Sequence, residues 1–209
     1  MPFALLLGLA AVAGATLLTY LYDSDAPLWP RLCAGVCLGF ALLGLVGFAL
    51  ASLLGMNAPA LALAGLVCAS PLLLLIRGGV RGRVAENVRA GVRAAGAALN
   101  FSRRGHAGAL TFYVVAASVF WCVFANAMYV TREGLFTGVD TNLGDMPFHA
   151  AVITGFAHGE NFPPQHPELA GTPLTYPFVV DFVTAMFVRA GASLEGSMFW
   201  QSFLMMMSL

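Results

Sequence analysis

The sequence predicts an all-α protein: a polytopic bundle of about six membrane helices, with a cytoplasmic amphipathic helix and a structured extracytoplasmic loop containing a short helix. Three observations lead there. The 209 residues are 59% hydrophobic and 10% charged, with a mean hydropathy of +0.83, whereas about a quarter of a soluble domain is charged. The apolar residues form long continuous runs, which suits helices that satisfy their own backbone groups better than alternating barrel strands. Finally, most of the arginine is gathered in one segment between apolar runs, as expected of a cytoplasmic loop.

The formal net charge of zero offers no global field for nucleic acid. Cys33, Cys37, Cys68 and Cys122 all lie inside apolar runs, where a thiol behaves as a small hydrophobe; their pattern is neither a disulfide framework nor a zinc site.

Residues 1–76 hold three apolar runs, each long enough to span a bilayer: Phe3 to Tyr22, Leu32 to Leu54 and Ala58 to Ile76. The first lacks the leading positive charge of a secretory signal. The second contains "GVCLG", Gly35 to Gly39, small residues one turn apart that let another helix approach; packing within the chain is the preferred reading. Residues 77–108 carry Arg77, Arg81, Arg83, Arg89, Arg93, Arg103 and Arg104. Val80, Val84, Val88, Val92, Ala95 and Leu99 recur among them at helical spacing, predicting a helix in the headgroup plane that contacts anionic lipid, or else a plain topogenic loop.

Residues 109–209 begin with a fourth run, Ala109 to Val130, leading outward. A loop over residues 131–175 follows, with more acids than bases, and then a fifth run over 176–192 that returns inward with Arg189 near its cytoplasmic end. The sixth run starts near Gly196 and stops in "FLMMMSL", which reads as the amino-terminal piece of something longer. The expected location is the cell membrane, multi-pass, with 131–175 outside and 77–108 inside.

The loop concentrates the chemistry. In "GDMPFHAAVITGFAHG", Pro147 near the start and Gly159 just past the end bracket a short helix. Asp145 is then either an N-cap, contributing about 1 kcal/mol, or part of a site with His149, one turn on, and Asp140. Carboxylates beside an imidazole suit a divalent cation, a phosphate substrate held through it, or proton transfer. His158, half a rotation away from Asp145, is assigned to the interface or to capping the helix. Glu160, His166 and Glu168 sit among Pro163, Pro164, Pro167 and Pro173, a stretch expected to be stiff and extended. Asp181, about one turn inside the fifth run, is a site candidate because ionisable groups there usually face protein or water; headgroup depth is the competing account.

The stretch "GDMPFHAAVITGFAHGENFPPQHPELAGTPLTYPF" resembles the first extracytoplasmic loop of GT-C type glycosyltransferases, the polytopic enzymes that use polyprenyl-phosphate-linked sugars. Asp145 and His149 match a D-x-x-x-H element, while Gly171, Tyr176 and Pro177 match G-x-x-x-x-Y-P. The likeness extends over about Ala109 to Ala192, and is nearest to uncharacterised bacterial membrane proteins labelled pyruvoyl-tetrahydropterin-synthase-related; nothing in the chain supports pterin chemistry. The resemblance implies a catalytic centre at the outer membrane face. Asp145 would position the acceptor or bind Mg or Mn with His149, Asp140 would be a second acid, and Tyr176, His166, Glu168 and Asp181 would line the substrate site. The implied partner is a lipid-linked sugar donor. Relative to the simplest members, the three preceding helices are extra and the later donor-site loops are absent. The competing functions are a transporter or channel subunit that uses Asp181 and the acidic loop, or a non-catalytic membrane scaffold.

Overall fold

Residues 1–23, 25–99, 104–138 and 144–209 are described in the computed structural model, the side chains of 104–106 excepted. Among the described residues, four helical stretches are long and apolar enough to cross a membrane: Pro2–Tyr22, Leu28–Leu54, Ala58–Ile76 and Ala107–Ala127. They mark the chain as a membrane protein.

The first three stretches pack together. Helix α1 (Pro2–Tyr22) starts on a proline, which needs no amide partner at that position. It ends where Asp23 turns extended and its carboxylate accepts the Asp25 and Ala26 amides at 2.9 and 3.0 Å. Helix α2 (Leu28–Leu54) starts after Pro27 and stops at Gly55, whose φ of 77° suits a residue without Cβ. Asn57 caps α3 (Ala58–Ala69), accepting the Ala60 amide at 2.9 Å and donating to Leu54 O at 2.7 Å. Ser70 to Ile76 continue as a 3₁₀ helix from the point where Pro71 cannot donate to the α-helical ladder.

Small residues set how closely these helices approach. A Cβ on Gly35 would overlap the Thr16 hydroxyl, and one on Gly39 would lie 2.9 Å from Ala11 O, so the "GVCLG" face is spent on α1 within the same chain. The other side of α2 presents Gly44 and Gly47 to Val179, Val183 and Met186.

Helix α4 (Gly78–Ala98) lies across the end of the bundle where α1 finishes and α2 starts. Gly91 meets Leu28, and Asn87 Nδ2 donates to Ala26 O at 3.1 Å and Tyr20 Oη at 3.3 Å. At the same end Arg31 is 1% exposed. Its guanidinium donates to Ala26 O at 2.9 Å, to Thr19 Oγ1 at 3.1 Å and to Asp23 O, and stacks 4.0 Å from the Tyr20 ring centroid. Here α2 starts four residues before the Leu32 that opens its apolar run, so Arg31 is a buried helical residue instead of a loop charge.

Helix α5 (Arg104–Ala127) is shorter than the expected run to Val130. Residues Met128–Thr131 (β1) pair antiparallel with Gly134–Thr137 (β2), Tyr129 opposite Phe136. The β-branched "VT" before the tight "REG" turn favours a hairpin over further helix, a feature absent from the expectation for this loop. Helix α6 (Asp145–Gly159) forms where the short helix was expected, with Gly144 as its N-cap and Gly159 inside its last turn. Its end is left-handed at Glu160 (φ 47°), with the Asn161 amide bonded back to Gly155 O at 3.3 Å. A side-chain-bearing residue is disfavoured in that conformation. Glu160→Gly is therefore expected to stabilise the fold by about 0.5–1 kcal/mol, read as a higher unfolding midpoint in detergent; an unchanged or lower midpoint would contradict this.

The proline loop after α6 closes on itself, a departure from the extended form expected. Asn161 and Gln165 exchange two bonds of 2.9 Å, the His166 amide donates to Thr172 O at 2.8 Å, and the Leu174 amide to Pro164 O at 3.0 Å. The fifth run, expected over 176–192, is helical only over Val179–Arg189 (α7), about 16 Å at 1.5 Å per residue. Its direction also differs from expectation. Val179 packs on Gly44, Met186 on Gly47, and Arg189 Nε donates to Met56 O at 2.8 Å. Arg189 thus lies at the end of the bundle away from α4, near Met1, whose amine bonds Gly191 O at 2.9 Å. Helix α8 (Leu194–Ser208) then turns back beside α7, with Thr184 Oγ1 donating to Gln201 Oε1 and Gln201 Nε2 to Val180 O, both at 2.9 Å. Trp121 of α5 meets Phe199, Trp200 and Phe203 of α8.

Candidate functional site

The site is built where α6 crosses the start of α7. On α6, Val152, Ile153, Phe156 and Ala157 are buried, a spacing of one and four residues that makes a single face. Phe156 joins Phe48 of α2, Phe162 of the loop and Phe178 and Phe182 around the start of α7, with ring centroids 5.2 to 6.5 Å apart. Such edge-on and tilted aromatic contacts resist sliding because ring geometry adds to burial. They hold α6 and α7 in one register on α2.

That register brings together two residues 32 positions apart. His149 Nδ1 lies 2.8 Å from Asp181 Oδ2 and 3.0 Å from Oδ1. The His149 side chain is 27% exposed and that of Asp181 9%. The carboxylate is therefore the shielded partner and the imidazole the accessible one. A carboxylate at Nδ1 keeps the proton on that nitrogen of a neutral ring, leaving the Nε2 lone pair free to accept a proton or bind a ligand. Tyr176 covers the pair from the loop. Its ring centroid is 5.6 Å from that of His149 and 5.3 Å from that of Phe148, which is in turn 5.4 Å from His166.

The sequence-predicted residues divide accordingly. His149, Tyr176 and His166 are gathered around Phe148, and Asp181 joins them through His149, although the sequence joined His149 to Asp145 and treated Asp181 separately. Asp145 is exposed at the first turn of α6, one turn before His149. Gly144 occupies the cap position, and the Asp145 carboxylate makes no cap bond and no hydrogen bond to His149. His149 pairs with Asp181, a partner the sequence did not name for it, because the buried face of α6 turns His149 towards α7. Glu168 gives its backbone amide to His166 Nδ1 at 3.2 Å, while its side chain is exposed and unpaired among the described residues. Asp140 lies outside the described residues.

For a divalent ion, Asp145 and His149 supply two donors, and among the described residues no group of three His, Cys, Asp or Glu side chains is placed to hold one. Arg31 was missed by sequence reading. The apolar run opens one residue later, at Leu32, so the sequence carries no signal for it until the helix is seen to start at Leu28.

Comparison with protein families, curated proteins and solved structures finds no match to this chain.

Proposed function

We propose that this chain belongs to a membrane glycosyltransferase of GT-C type, taking a sugar from a polyprenyl-phosphate donor at the membrane face that carries α6 and the proline loop. The observation that carries this reading is the His149–Asp181 pair, with a shielded carboxylate behind an accessible imidazole and Tyr176 beside it. In the reaction, His149 Nε2 takes the proton of the acceptor hydroxyl as its oxygen bonds to the sugar's anomeric carbon. The bond from that carbon to the donor phosphate breaks, and its electron pair leaves with the polyprenyl phosphate. Asp181 stabilises the imidazolium that forms and holds the ring's orientation. Asp145, exposed one turn away, orients the acceptor. A Mg or Mn ion bound there would supply charge stabilisation to the leaving phosphate, with Asp145 as its ligand and the rest of its shell from water and substrate oxygens. Residues 131–175 are taken as extracytoplasmic and the membrane as the cell membrane, because the arginine-rich segment 77–108 fits the cytoplasmic side.

The test is sugar transfer by the full-length protein in proteoliposomes, using a panel of polyprenyl-phosphate-linked hexoses and pentoses. His149→Ala is expected to lower the rate on the order of 10²–10⁴-fold, the usual range for a general base, and Asp181→Asn nearly as far. Full transfer by Asp145→Ala would remove that residue's role. Wild-type transfer by His149→Ala, or none by the native protein with any donor, would sink the proposal.

The depth of Asp181 also favours a second reading, a proton-coupled transporter in which the pair relays protons. It predicts substrate uptake that fails in Asp181→Asn and is unaffected by Asp145→Asn.

A further inference from the structure

Helix α4 presents three faces, and the fold uses only one. Val80, Val84, Asn87 and Gly91 turn towards the bundle, where Asn87 and Gly91 hold the ends of α1 and α2 as described above. Val88, Val92 and Leu99, which share the apolar periodicity of that face, are 43%, 65% and 61% exposed. Beyond this strip lie Arg89 and Arg93, exposed and one turn apart, and Arg77 and Arg81 make a second exposed pair about 18 Å away at 1.5 Å per residue. None of these four guanidinium groups makes a hydrogen bond or ion pair among the described residues, and Glu86 is the one acid on the helix.

The neighbours of α4 decide what meets the two unused faces. The helix follows one membrane-length stretch, Ala58–Ile76, and precedes another, Ala107–Ala127. Its contacts are with helix ends, at Tyr20, Ala26 and Leu28. A helix fixed across the end of a spanning bundle lies at the water–lipid boundary. An apolar strip beside a row of arginines is the form of a helix lying in that plane.

We propose that α4 is an in-plane platform for anionic phospholipids of the bilayer that its flanking stretches cross. Val88, Val92 and Leu99 insert among the acyl chains at the rim of the bundle, and each arginine pair holds a headgroup phosphate. Guanidinium groups one turn apart reach one phosphate from two sides, and their planar donors match its oxygens. The Asn87 bonds fix the rotation of the helix, so that lipid binding is set by the fold rather than by a loose basic loop.

The experiment uses the purified full chain in neutral detergent, with phosphatidylglycerol or phosphatidylcholine added and bound lipid counted by native mass spectrometry. Phosphatidylglycerol is expected to bind preferentially. Arg89→Gln with Arg93→Gln should lower its affinity on the order of tenfold or more, given about 1 kcal/mol per surface arginine, and leave phosphatidylcholine unchanged. Arg89→Lys with Arg93→Lys should keep most of the preference, and Glu86→Gln should keep all of it. The proposal is overturned if a folded variant with all four arginines changed to Gln retains the phosphatidylglycerol preference. It is equally overturned if the native chain shows no preference, or binds an oligonucleotide or an acidic peptide more tightly than the lipid.

Discussion

Arg31→Met is expected to lower the unfolding free energy by about 2–4 kcal/mol. Methionine preserves much of the side chain's bulk, so the loss is not mainly a cavity. What disappears is the only donor set that reaches Ala26 O, Thr19 Oγ1 and Asp23 O together, and the cation over the buried Tyr20 ring. Asp23 is exposed and Ala26 half-buried, so water can replace part of the lost bonding, which caps the cost. Because Ala26 O also accepts from Asn87 and Tyr20 Oη is its other partner, losing Arg31 should loosen α4 as well. Hydrogen exchange across residues 78–98 would rise with the drop in unfolding midpoint. A variant with the native midpoint and native exchange would show that the arginine is tolerated there, not required.

The second large effect is expected at Gly14. A Cβ at this position would overlap the carbonyl oxygen of Cys68, and beyond it Pro71 Cδ at 3.4 Å closes the space. The obstacle is backbone and cannot rotate away, so α1 and α3 must part. Between membrane helices there is little hydrophobic gain to compensate for lost van der Waals contact. Gly14→Ala should therefore cost about 3 kcal/mol, the upper part of the overpacking range. Gly82, on α4 with nothing within 4 Å of its would-be Cβ, is the control. Gly82→Ala should stabilise by up to about 1 kcal/mol through helix propensity alone. Equal destabilisation by both substitutions would mean that the close approach of α1 and α3 is not what Gly14 serves.

Both positions show where sequence reading reaches its limit. Gly14 is one of 23 glycines, and nothing in "AVAGATLL" separates it from Gly82 in "VRGRVAE"; only the partner helix does. Arg31 follows "LWP" and reads as a loop charge until the helix is seen to begin at Leu28. The hairpin at 128–137 was hidden because Met128 to Val130 continue the apolar character of α5, so composition marks no boundary. The site was half visible. The helix start at Asp145 and the candidacy of His149, Tyr176 and Asp181 came from local patterns. The pairing across 32 residues did not, since a spacing of four on one helix favours Asp145 over Asp181 as the partner of His149.

By itself, then, the sequence determined the membrane class, four of the six runs it read as crossing the membrane, and the short helix of the loop, while it left the basic segment as either an in-plane helix or a loop. Each is a property of consecutive residues, where hydropathy, periodicity and capping act within a few turns. Tertiary structure alone decided that α7 runs towards the Met1 end, that the small residues of α2 are divided between α1 and α7, and that His149 answers to Asp181. Those outcomes depend on which apolar faces bury against one another. The rings of Phe48, Phe156, Phe178 and Phe182 settle that through contacts between residues far apart in the chain, which no local pattern encodes.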